Sequence, residues 1–460
     1  MAATRRSTPA DAAHDRSAGA DPVRAAVAAA LAAALPAGGR AAVALSGGRD
    51  SMALLDAAAH VAADHRVTLV ALHVHHGLSA HADAWADHCA AAAAARAIAF
   101  DVCRVAVARR PRESLEDVAR RARHTALDAM ARAAGASVLM LAHHQDDQAE
   151  TLLLQLLRGA GPRGLAAMAP VEHAGGLAWL RPLLGVPRGV IDDYVVREHV
   201  AYVDDDSNAR RVHRRNALRL DVVPALRALA PGYPATLARA ATHQAEAAAL
   251  LHDLAALDAA PFHADGTLQR SALAILPPPR ARNVLRWFLQ EKGLPPPSAA
   301  RLAAMLAQLG GARDDARVAL RHAGRTIGLH RGRIVVHAAP PAGFEHAWAG
   351  AAALVLPHGT LACHAAERDG LDPARLFAAP VTVRSRAGGE RLRTRPGGPQ
   401  RELKDVLREA GVPAWDRAAL PLVFAGPVLA AVPGIAWDPD YAAIPGGAPG
   451  VRLVWSPRVA

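Results

Sequence analysis

The sequence predicts an α/β fold in which a doubly wound, mostly parallel sheet is followed by a helical domain and a small α+β C-terminal domain. In the first half of the chain, short apolar runs alternate with Ala-rich amphipathic stretches, a pattern typical of right-handed βαβ units. Polar clusters follow three of the predicted strands, at Ser46, His75 and His143. In such sheets ligands bind beyond the carboxyl ends of the strands, so we expect one composite site there.

The first predicted domain contains four strands separated by helices. The first strand, at residues 41–45, is a run of small and apolar residues that leads through a Gly-Gly turn into a helix. The other three are rich in β-branched or apolar residues. These strands are predicted at residues 67–74, 99–107 and 137–141, and the helices at residues 23–35, 52–60, 82–97, 113–134 and 187–199.

The rest of the chain predicts two further domains. A long Ala-rich helix at residues 235–257 leaves the first domain, and Pro-interrupted helices and a hairpin follow. A Pro/Ala/Gly-rich segment at residues 338–346 is typical of a linker. The predicted organisation is therefore a disordered tail at residues 1–22 and domains at residues 23–230, 235–337 and 350–460.

Composition favours an anionic macromolecular partner. The chain carries 53 Lys and Arg against 42 Asp and Glu, a net charge of +11. Nearly all the cations are Arg and the chain is Ala-rich, which points to coding bias as the cause of the Arg preference. The net positive charge is therefore stronger evidence for an anionic partner than the abundance of Arg. The three cysteines form no Cys-x-x-Cys pair, which argues against zinc ribbons, iron–sulfur sites and disulfide scaffolds. No membrane-spanning run or secretory signal is recognisable, so we expect a cytoplasmic protein without a membrane partner.

The segment after the first strand has the pattern Ser-Gly-Gly-x-Asp-Ser. A strand, a Gly-Gly turn and a helix N-terminus direct backbone amides at an anionic phosphate. Two hydroxyls add donors, and a carboxylate could hold Mg²⁺ beside the phosphates. No Gly-Lys-Ser/Thr ending is present, which excludes a Walker loop; an ordinary strand–helix turn is the alternative. The predicted phosphate-binding residues are Ser46, Gly47, Gly48, Arg49, Asp50 and Ser51.

A second polar cluster, at residues 143–151, follows the fourth strand. Asp147 stands at the start of a helix with Glu150 and Thr151 one turn on, so the three share a face. We predict that Asp147 and Asp50 handle Mg²⁺ and phosphate, with His143 as a polar contact or proton-transfer group. Two alternatives stay open. The acidic residues could simply cap the helix, or a zinc or dimetal site could form from His143, His144, Asp146 and Glu150.

Two basic segments come next along the chain. Residues 158–165 are too Gly-rich for a helix, which predicts a mobile loop that approaches a phosphate or a flipped base, or else a simple connector. The arginine-rich segment at residues 210–219 could guide a nucleic-acid backbone or form a solvated face.

Taken together, these segments resemble the tRNA(Ile)-lysidine synthases, a family of PP-loop ATP pyrophosphatases with a Rossmann-like fold. In the first domain the resemblance is carried by SGGRDSMALL, HVHHGL, SLEDVARRARH, AHHQDDQAETLLLQLLRGAGPRGLAAM, RPLL and DDDSNARRVHRRNALR. In the last domain it is carried by RELKDVLREAGVPAWDRAALPLVF, whereas the middle is matched mainly by position. The chain departs from the family at His75, His124 and His213, where Asn or Asp, and twice an aromatic residue, are usual.

The resemblance implies an ATP-dependent ligase that modifies tRNA. ATP would adenylate C2 of the wobble cytidine in isoleucine tRNA with a CAU anticodon, and free L-lysine would displace AMP to give lysidine. Decoding and identity would change from methionine to isoleucine. The implied cofactors are ATP and Mg²⁺, with Asp50, His143 and Asp147 catalytic and with Asp50 and Asp147 as metal ligands. The second and third domains would grip the tRNA, and whether the chain forms a homodimer is left open.

Three other functions are compatible with parts of the pattern. A PP-loop cytidine thiolase usually needs paired cysteines, which this sequence does not have. An amidotransferase-type synthetase that makes a small molecule would need a glutaminase domain or partner. It would also leave the excess of basic over acidic residues unexplained. A non-catalytic RNA-binding relative would have no need for the intact Ser-Gly-Gly-x-Asp-Ser loop and acidic cluster.

Overall fold

The structure is a computed structural model that describes residues 21–77, 79, 81–106, 115–204, 214–313, 318–338, 343–366, 370–444 and 448–457. The chain forms two compact units, Met1–Leu250 and Leu251–Ala460. Most of the predicted N-terminal tail lies outside the described residues, as do residues 210–213 of the arginine-rich segment. In the part of the chain that is described, no helix has the length and apolar character needed to cross a membrane.

A six-stranded sheet forms the centre of the first unit. Its order is β3-β2-β1-β4-β6-β5, and all neighbours are parallel except β5 and β6. The doubly wound, mostly parallel prediction is confirmed, whereas the antiparallel edge hairpin was not predicted. The strands are β1 (Arg40–Leu45), β2 (Thr68–His75), β3 (Ala99–Arg104), β4 (Val138–Met140), β5 (Val171–Ala174) and β6 (Leu177–Leu180).

Helices cover both faces of this sheet because successive side chains of a strand point to opposite faces. In β1, Val43 packs into a core shared with α1, α2 and α7, whereas Ala42 packs into a core shared with α4. The helices of the unit are α1 (Pro22–Ala34), α2 (Arg49–Asp64), α3 (Ala82–Ala94), α4 (Leu115–Ala133), α5 (Gln145–Leu156), α6 (Pro162–Leu165), α7 (Arg188–Arg197), α8 (Arg214–Ala217), a π-helical turn (Leu218–Val222), α9 (Val223–Leu229) and α10 (Tyr233–Ala259), which runs on into the second unit.

The prediction that residues 158–165 are too Gly-rich for a helix is wrong at its C-terminal end. The short helix α6 begins at Pro162, whose fixed φ suits the first helical position. The Gln148 side chain donates to the Met168 carbonyl (2.9 Å) and accepts from its amide (2.9 Å). This two-point bond ties the segment after α6 to α5.

The second unit contains a helical region followed by small sheets, in agreement with the predicted fold class, whereas the domain bounds at residues 235–337 and 350–460 stay a prediction. Its helices are α11 (Ser271–Ile275), α12 (Pro278–Glu291), α13 (Ala299–Gly310), α14 (Pro373–Leu376) and α15 (Leu403–Glu409). One five-stranded sheet has the order β7-β8-β11-β10-β9 and contains the predicted hairpin, β10 (Arg325–His330) with β11 (Arg333–His337). The other strands are β7 (His263–Ala264), β8 (Thr267–Gln269), β9 (Ala319–His322), β12 (Glu345–Ala347), β13 (Ala353–Leu356), β14 (Gly359–Ala366), β15 (Val381–Arg384), β16 (Arg391–Leu392), β17 (Arg401–Glu402), β18 (Leu422–Ala425), β19 (Val428–Val432), β20 (Ala436–Trp437) and β21 (Gly450–Pro457).

The order of the main sheet locates its binding crevice. From β1 the chain builds outward through β2 to β3, whereas β4 lies on the other side of β1 and leads to β6. This reversal between β1 and β4 is the switch point at which doubly wound sheets bind ligands. The loop after β1 and the start of α5 after β4 are therefore side by side.

The turn after β1 depends on Gly47. Its φ of +83° is unfavourable for residues with a side chain, and an added Cβ would lie 3.0 Å from Cγ2 of Val203 and 3.5 Å from Sγ of Cys89. Gly48 differs, because its φ of −75° and ψ of 160° are ordinary extended values. Space and backbone conformation thus both require glycine at position 47 but not at position 48.

We expect Gly47→Ala to destabilise the first unit by about 1–2 kcal/mol, the usual cost of a left-handed conformation for a residue with a Cβ. Gly48→Ala serves as the matched control and should stay within about 1 kcal/mol of the parent, since no positive φ is involved. Hydrogen exchange of the α2 amides measures both changes. Equal protection in the two variants would contradict this account of the turn.

Candidate active site

The residues from Ser46 to Ser51, called here the 46–51 loop, are held by their own hydroxyls. Ser51 Oγ donates to the Gly48 carbonyl (2.8 Å) and accepts from the Ser46 amide (3.2 Å). Ser46 Oγ lies 3.1 Å from Ser51 Oγ and accepts from the Gly48 amide (3.3 Å). Because the Ser51 proton is used within the loop, the Ser46 hydroxyl is the one that can turn toward a ligand. The first amides of α2 lack intrahelical partners and can therefore also donate to a ligand.

A buried histidine joins this loop to the start of α5. His144 is the N-cap of α5, and Nε2 of its side chain lies 3.6 Å from Oδ2 of Asp50 and 3.5 Å from Oδ2 of Asp147. Burial opposes a charge on this ring, but the hydrogen bond with Asp50 and the charge of Asp147 together hold the pKa of His144 above its usual range. The His144 ring thus lies between the two carboxylates that the sequence predicts as metal ligands.

Two arginines that follow the undescribed residues 205–213 reach the acidic face of α5. Arg219 donates from Nε to Oε1 of Glu150 (2.6 Å) and from its terminal nitrogen to Oδ1 of Asp147 (2.9 Å). Arg215 donates to Oγ1 of Thr151 (2.6 Å), and its Nε lies 3.3 Å from Oε2 of Glu150. Burial opposes ionisation of Asp147, yet His144 and Arg215 lower the pKa of Asp147 below its usual value. Burial raises the pKa of Glu150, and Arg219 only partly offsets this rise.

His143 lies beside this cluster in a different electrostatic environment. Burial, reinforced by the charges of Arg181, Arg215 and Arg120, lowers the pKa of His143 to about 3. Its Nδ1 is buried without a hydrogen-bond partner among the described residues. At neutral pH this ring is uncharged, and it has one ring nitrogen available to a ligand.

The third predicted polar cluster has other partners. His75 lies 3.2 Å from Oδ1 of Asp83 on α3 and 3.4 Å from a guanidinium nitrogen of Arg104 on β3. The structure therefore brings the 46–51 loop and the α5 cluster together through His144, while the contacts of His75 lie toward the β3 side of the sheet.

Arg49 also points its charge away from the α5 cluster. Its guanidinium pairs with Asp192 on α7 and lies over the Tyr202 ring, 5.3 Å from the centroid. The backbone of Arg49 remains part of the loop, whereas its side chain contacts the elements that pack behind it.

The donor set fits a cation at Asp50 better than at Asp147. Oδ1 of Asp50 is buried and has no hydrogen-bond partner among the described residues, whereas Asp147 already accepts from the His144 amide (3.1 Å) and from Arg219. In the described ranges, the group of three potential ligands whose donor atoms all lie within 4.8 Å is Asp56, His60 and Glu198. This group stands on α2 and after α7, so the alternative zinc site at the α5 cluster gains no support.

A cavity of about 540 Å³ adjoins the acidic face of α5. Both signs of charge are present in its lining, which the sequence alone did not indicate because its residues come from distant segments. The lining residues are Asp146, Glu150, Arg188, Arg219, Val223, Pro224, Arg227, Ala228 and Tyr233. Oε2 of Glu150 is buried and makes no hydrogen bond in the part of the chain that is described, although Nε of Arg215 lies 3.3 Å from it. The cavity can therefore take a small molecule that carries both a cationic and an anionic group.

Sequence reasoning missed several residues of this site. It gave no positive role to His144 or Glu150 beyond the open alternatives, and it interpreted the region of Arg219 as a nucleic-acid guide or a solvated face. One sequence signal could have indicated these contacts: an arginine-rich segment and a cluster of acidic residues occur in the same predicted domain. Buried carboxylates require paired cations, so the two segments are expected to meet. That signal does not say which arginine pairs with which carboxylate.

The chain matches three protein families along its length. Residues 24–226 match the PP-loop domain, residues 268–335 the TilS substrate binding domain, and residues 381–455 the TilS substrate C-terminal domain. The first of these matches contains the 46–51 loop, α5 and both arginines of the cluster.

Named relatives match over nearly the whole chain. The tRNA(Ile)-lysidine synthase of Ralstonia nicotianae is 46% identical over 437 residues, covering 91% of this chain and 93% of the relative. Those of Burkholderia pseudomallei and Nitrosomonas europaea are 43% and 38% identical, covering 90% and 91% of this chain and 93% and 92% of the relatives. Identity at this level over this coverage extends the resemblance from local motifs to the whole architecture. The chain belongs to the tRNA(Ile)-lysidine synthase family.

Proposed function

We propose that this chain uses ATP to join free L-lysine to C2 of the wobble cytidine in isoleucine tRNA with a CAU anticodon. The cytidine O2 attacks the α-phosphate of ATP and releases pyrophosphate. The ε-amine of lysine then attacks C2, loses a proton and displaces AMP, which leaves lysidine. The observation that supports this best is the contact at His144, which joins a phosphate loop and an acidic cluster at the switch point of the sheet.

The 46–51 loop would hold the phosphates that leave as pyrophosphate. Its outward amides and the N-terminus of α2 supply fixed dipoles, which cost no reorganisation when negative charge develops. Ser46 can donate its hydroxyl proton to a phosphate oxygen, while Ser51 maintains the shape of the loop through the Gly48 carbonyl.

Asp50 and Asp147 would hold Mg²⁺, with Asp50 as the principal ligand because of its free, buried oxygen. When bound, the ion would neutralise phosphate charge. The chain itself places His144 between the two carboxylates, and the charge of His144 helps to hold the pKa of Asp147 below its usual value. His143, with a pKa of about 3, is suited to be a neutral hydrogen-bond partner for substrate rather than an acid at neutral pH.

The cavity beside α5 would bind the lysine. Free lysine carries two ammonium groups and one carboxylate, and the lining offers carboxylates and guanidinium groups. Oε2 of Glu150 is the proposed acceptor for an ammonium: it makes no hydrogen bond of its own among the described residues, and its ion pair with Nε of Arg215 is 3.3 Å long. Arg188 and Arg227 can receive the carboxylate.

The target base must leave the anticodon stack to reach this site, which costs little in a single-stranded loop. The net charge of +11 is suited to a polyanionic substrate. The regions of the chain that match the two TilS domains are proposed to bind the body of the tRNA. A cytidine thiolase is less suitable, because burial raises the pKa of the Cys89 thiol to about 12 and the three cysteines are unpaired.

The direct test incubates the purified chain with ATP, labelled lysine and an unmodified isoleucine tRNA transcript. We expect label in the tRNA and one AMP and one pyrophosphate per lysine joined. Omission of ATP should abolish labelling, and a transcript of the methionine tRNA with the same anticodon provides the specificity control. If no label enters the tRNA under any condition, the proposed reaction is wrong.

Asp50→Asn and Asp147→Asn should each slow tRNA-dependent release of pyrophosphate by roughly 10²–10³-fold, the effect of losing one preorganised charge-stabilising group. Binding of tRNA, measured by filter retention, should stay within about twofold because neither carboxylate recognises the nucleic-acid backbone. Asp128→Asn, an exposed carboxylate on α4 paired with Arg132, is the matched control. Full activity in either site variant would remove that residue from the proposed metal site.

Glu150→Gln should raise the KM for lysine by about tenfold or more, because the amide cannot pair with an ammonium ion. The KM for ATP should change by less than about twofold, since Glu150 lies outside the phosphate loop. Glu172→Gln, a carboxylate paired with Arg181 outside the cavity, is the control. An unchanged KM for lysine in the Glu150 variant would place the lysine site elsewhere.

A further inference from the structure

Arg49 is the only cation within the 46–51 loop, yet its side chain is engaged away from the phosphate-binding face. Its guanidinium pairs with Asp192 of α7 and lies 5.3 Å from the centroid of Tyr202. About a quarter of the side chain is exposed. A guanidinium that is paired with a carboxylate and lies over an aromatic ring has a fixed position.

The segment that Arg49 holds is itself bonded to the loop. The next residue after Tyr202 is Val203, whose amide donates to the Gly47 carbonyl (3.0 Å). Its Cγ2 fills the space beside Gly47, 3.0 Å from where a Cβ would stand. Two residues of the loop, Gly47 and Arg49, therefore hold two consecutive residues of the segment after α7.

This contact sets the orientation of one peptide group of the loop. The Gly47 carbonyl and the Gly48 amide belong to the same planar trans peptide, so they point in opposite directions. Because Val203 fixes the carbonyl on one side, the amide is directed to the other side, where it lies 3.3 Å from Ser46 Oγ. That is the side on which the loop would receive a phosphate oxygen.

We propose that Arg49 is a positioning residue for the phosphate loop. It acts through Asp192, Tyr202 and Val203 to fix the Gly47–Gly48 peptide, and it does not bind phosphate itself. The inference rests on the proposed function only in taking ATP as the ligand of the loop. It differs from the expectation for Arg49 drawn from the sequence, which placed this residue among the phosphate-binding groups.

The test measures the Kd for ATP with Mg²⁺ by calorimetry, without tRNA or lysine, for Arg49→Met, Asp192→Asn and the double variant. We expect each single variant to raise the Kd about tenfold, which corresponds to about 1.4 kcal/mol. The double variant should bind no more weakly than the singles, because all three break the same link. Arg49→Lys should recover part of the affinity, since it keeps the charge pair but loses the planar contact with Tyr202.

Asp192→Asn separates positioning from direct binding. If Arg49 bound phosphate, freeing it from Asp192 would leave the affinity for ATP unchanged or increase it, and only the Arg49 variants would be impaired. That result would overturn the proposal, as would parent-like affinity in every variant. The lysidine assay on the unaltered chain is a separate measurement, so failure of the proposed function would not be mistaken for failure of this inference.

Arg197→Met is the matched control. Arg197 stands on α7, the helix of Asp192. Its guanidinium lies 5.3 Å from the centroid of the Tyr194 ring and pairs with Asp21. It has the same kind of contacts without reaching the 46–51 loop, so its loss should leave the Kd for ATP within about twofold of the parent. Equal weakening by Arg197→Met would mean that general loosening of α7 causes the effect, and the proposal would fail. In turnover assays, Arg49→Met should raise the KM for ATP and leave the KM for lysine unchanged.

Discussion

Two carboxylates of like charge, placed beyond the ends of neighbouring strands, are the constraint on which the site depends. Asp147 is buried, and Asp50 is half-buried with its Oδ1 shielded from solvent. Burying a carboxylate without counter-charge costs several kcal/mol per ion. His144 meets this requirement with one ring between the two carboxylates, and Arg219 adds a second cation on the outer side of Asp147. Because the cations belong to the chain, they hold the pKa of Asp147 below its usual value before any ligand arrives, and the charges of the site are in place for phosphate chemistry.

The two sides of the site are held by different kinds of interaction. On the α5 side, charged side chains pair directly with one another, through Arg215 and Arg219. On the β1 side, the geometry comes from hydroxyl and backbone hydrogen bonds, with Gly47 at a positive φ. The phosphate side therefore offers uncharged dipoles to an anion, and the acidic side offers negative charge to a cation. ATP with Mg²⁺ on one side and a lysine ammonium on the other match this division.

Much of this arrangement could be predicted from the sequence because it is local. Each predicted strand of the main sheet lies within a few residues of β1 to β4, and α5 begins two residues before Asp147. Local patterns were sufficient because an apolar run, a Gly-Gly turn and an N-cap each act over a few residues. The antiparallel pair β5–β6 was not predicted. Whether these short strands join the sheet depends on the free edge that β4 offers to β6, which their own residues do not show. The fold class nevertheless followed correctly from the alternation of strands and helices.

The ion pairs of the site could not be predicted from local patterns, because they join residues that are far apart in the sequence. Arg49 meets Asp192 across 143 residues, and Arg219 meets Asp147 across 72. A motif shows that a cation stands in a loop, but only the packing of α7 shows whether that charge is free. In this chain Asp192 pairs with the charge of Arg49, so the peptide groups of the loop are the proposed anion-binding groups. The role of the residue at the fourth position of the Ser-Gly-Gly-x-Asp-Ser pattern is thus best assigned from its partner in the fold, because its place in the pattern is equally compatible with binding and with positioning.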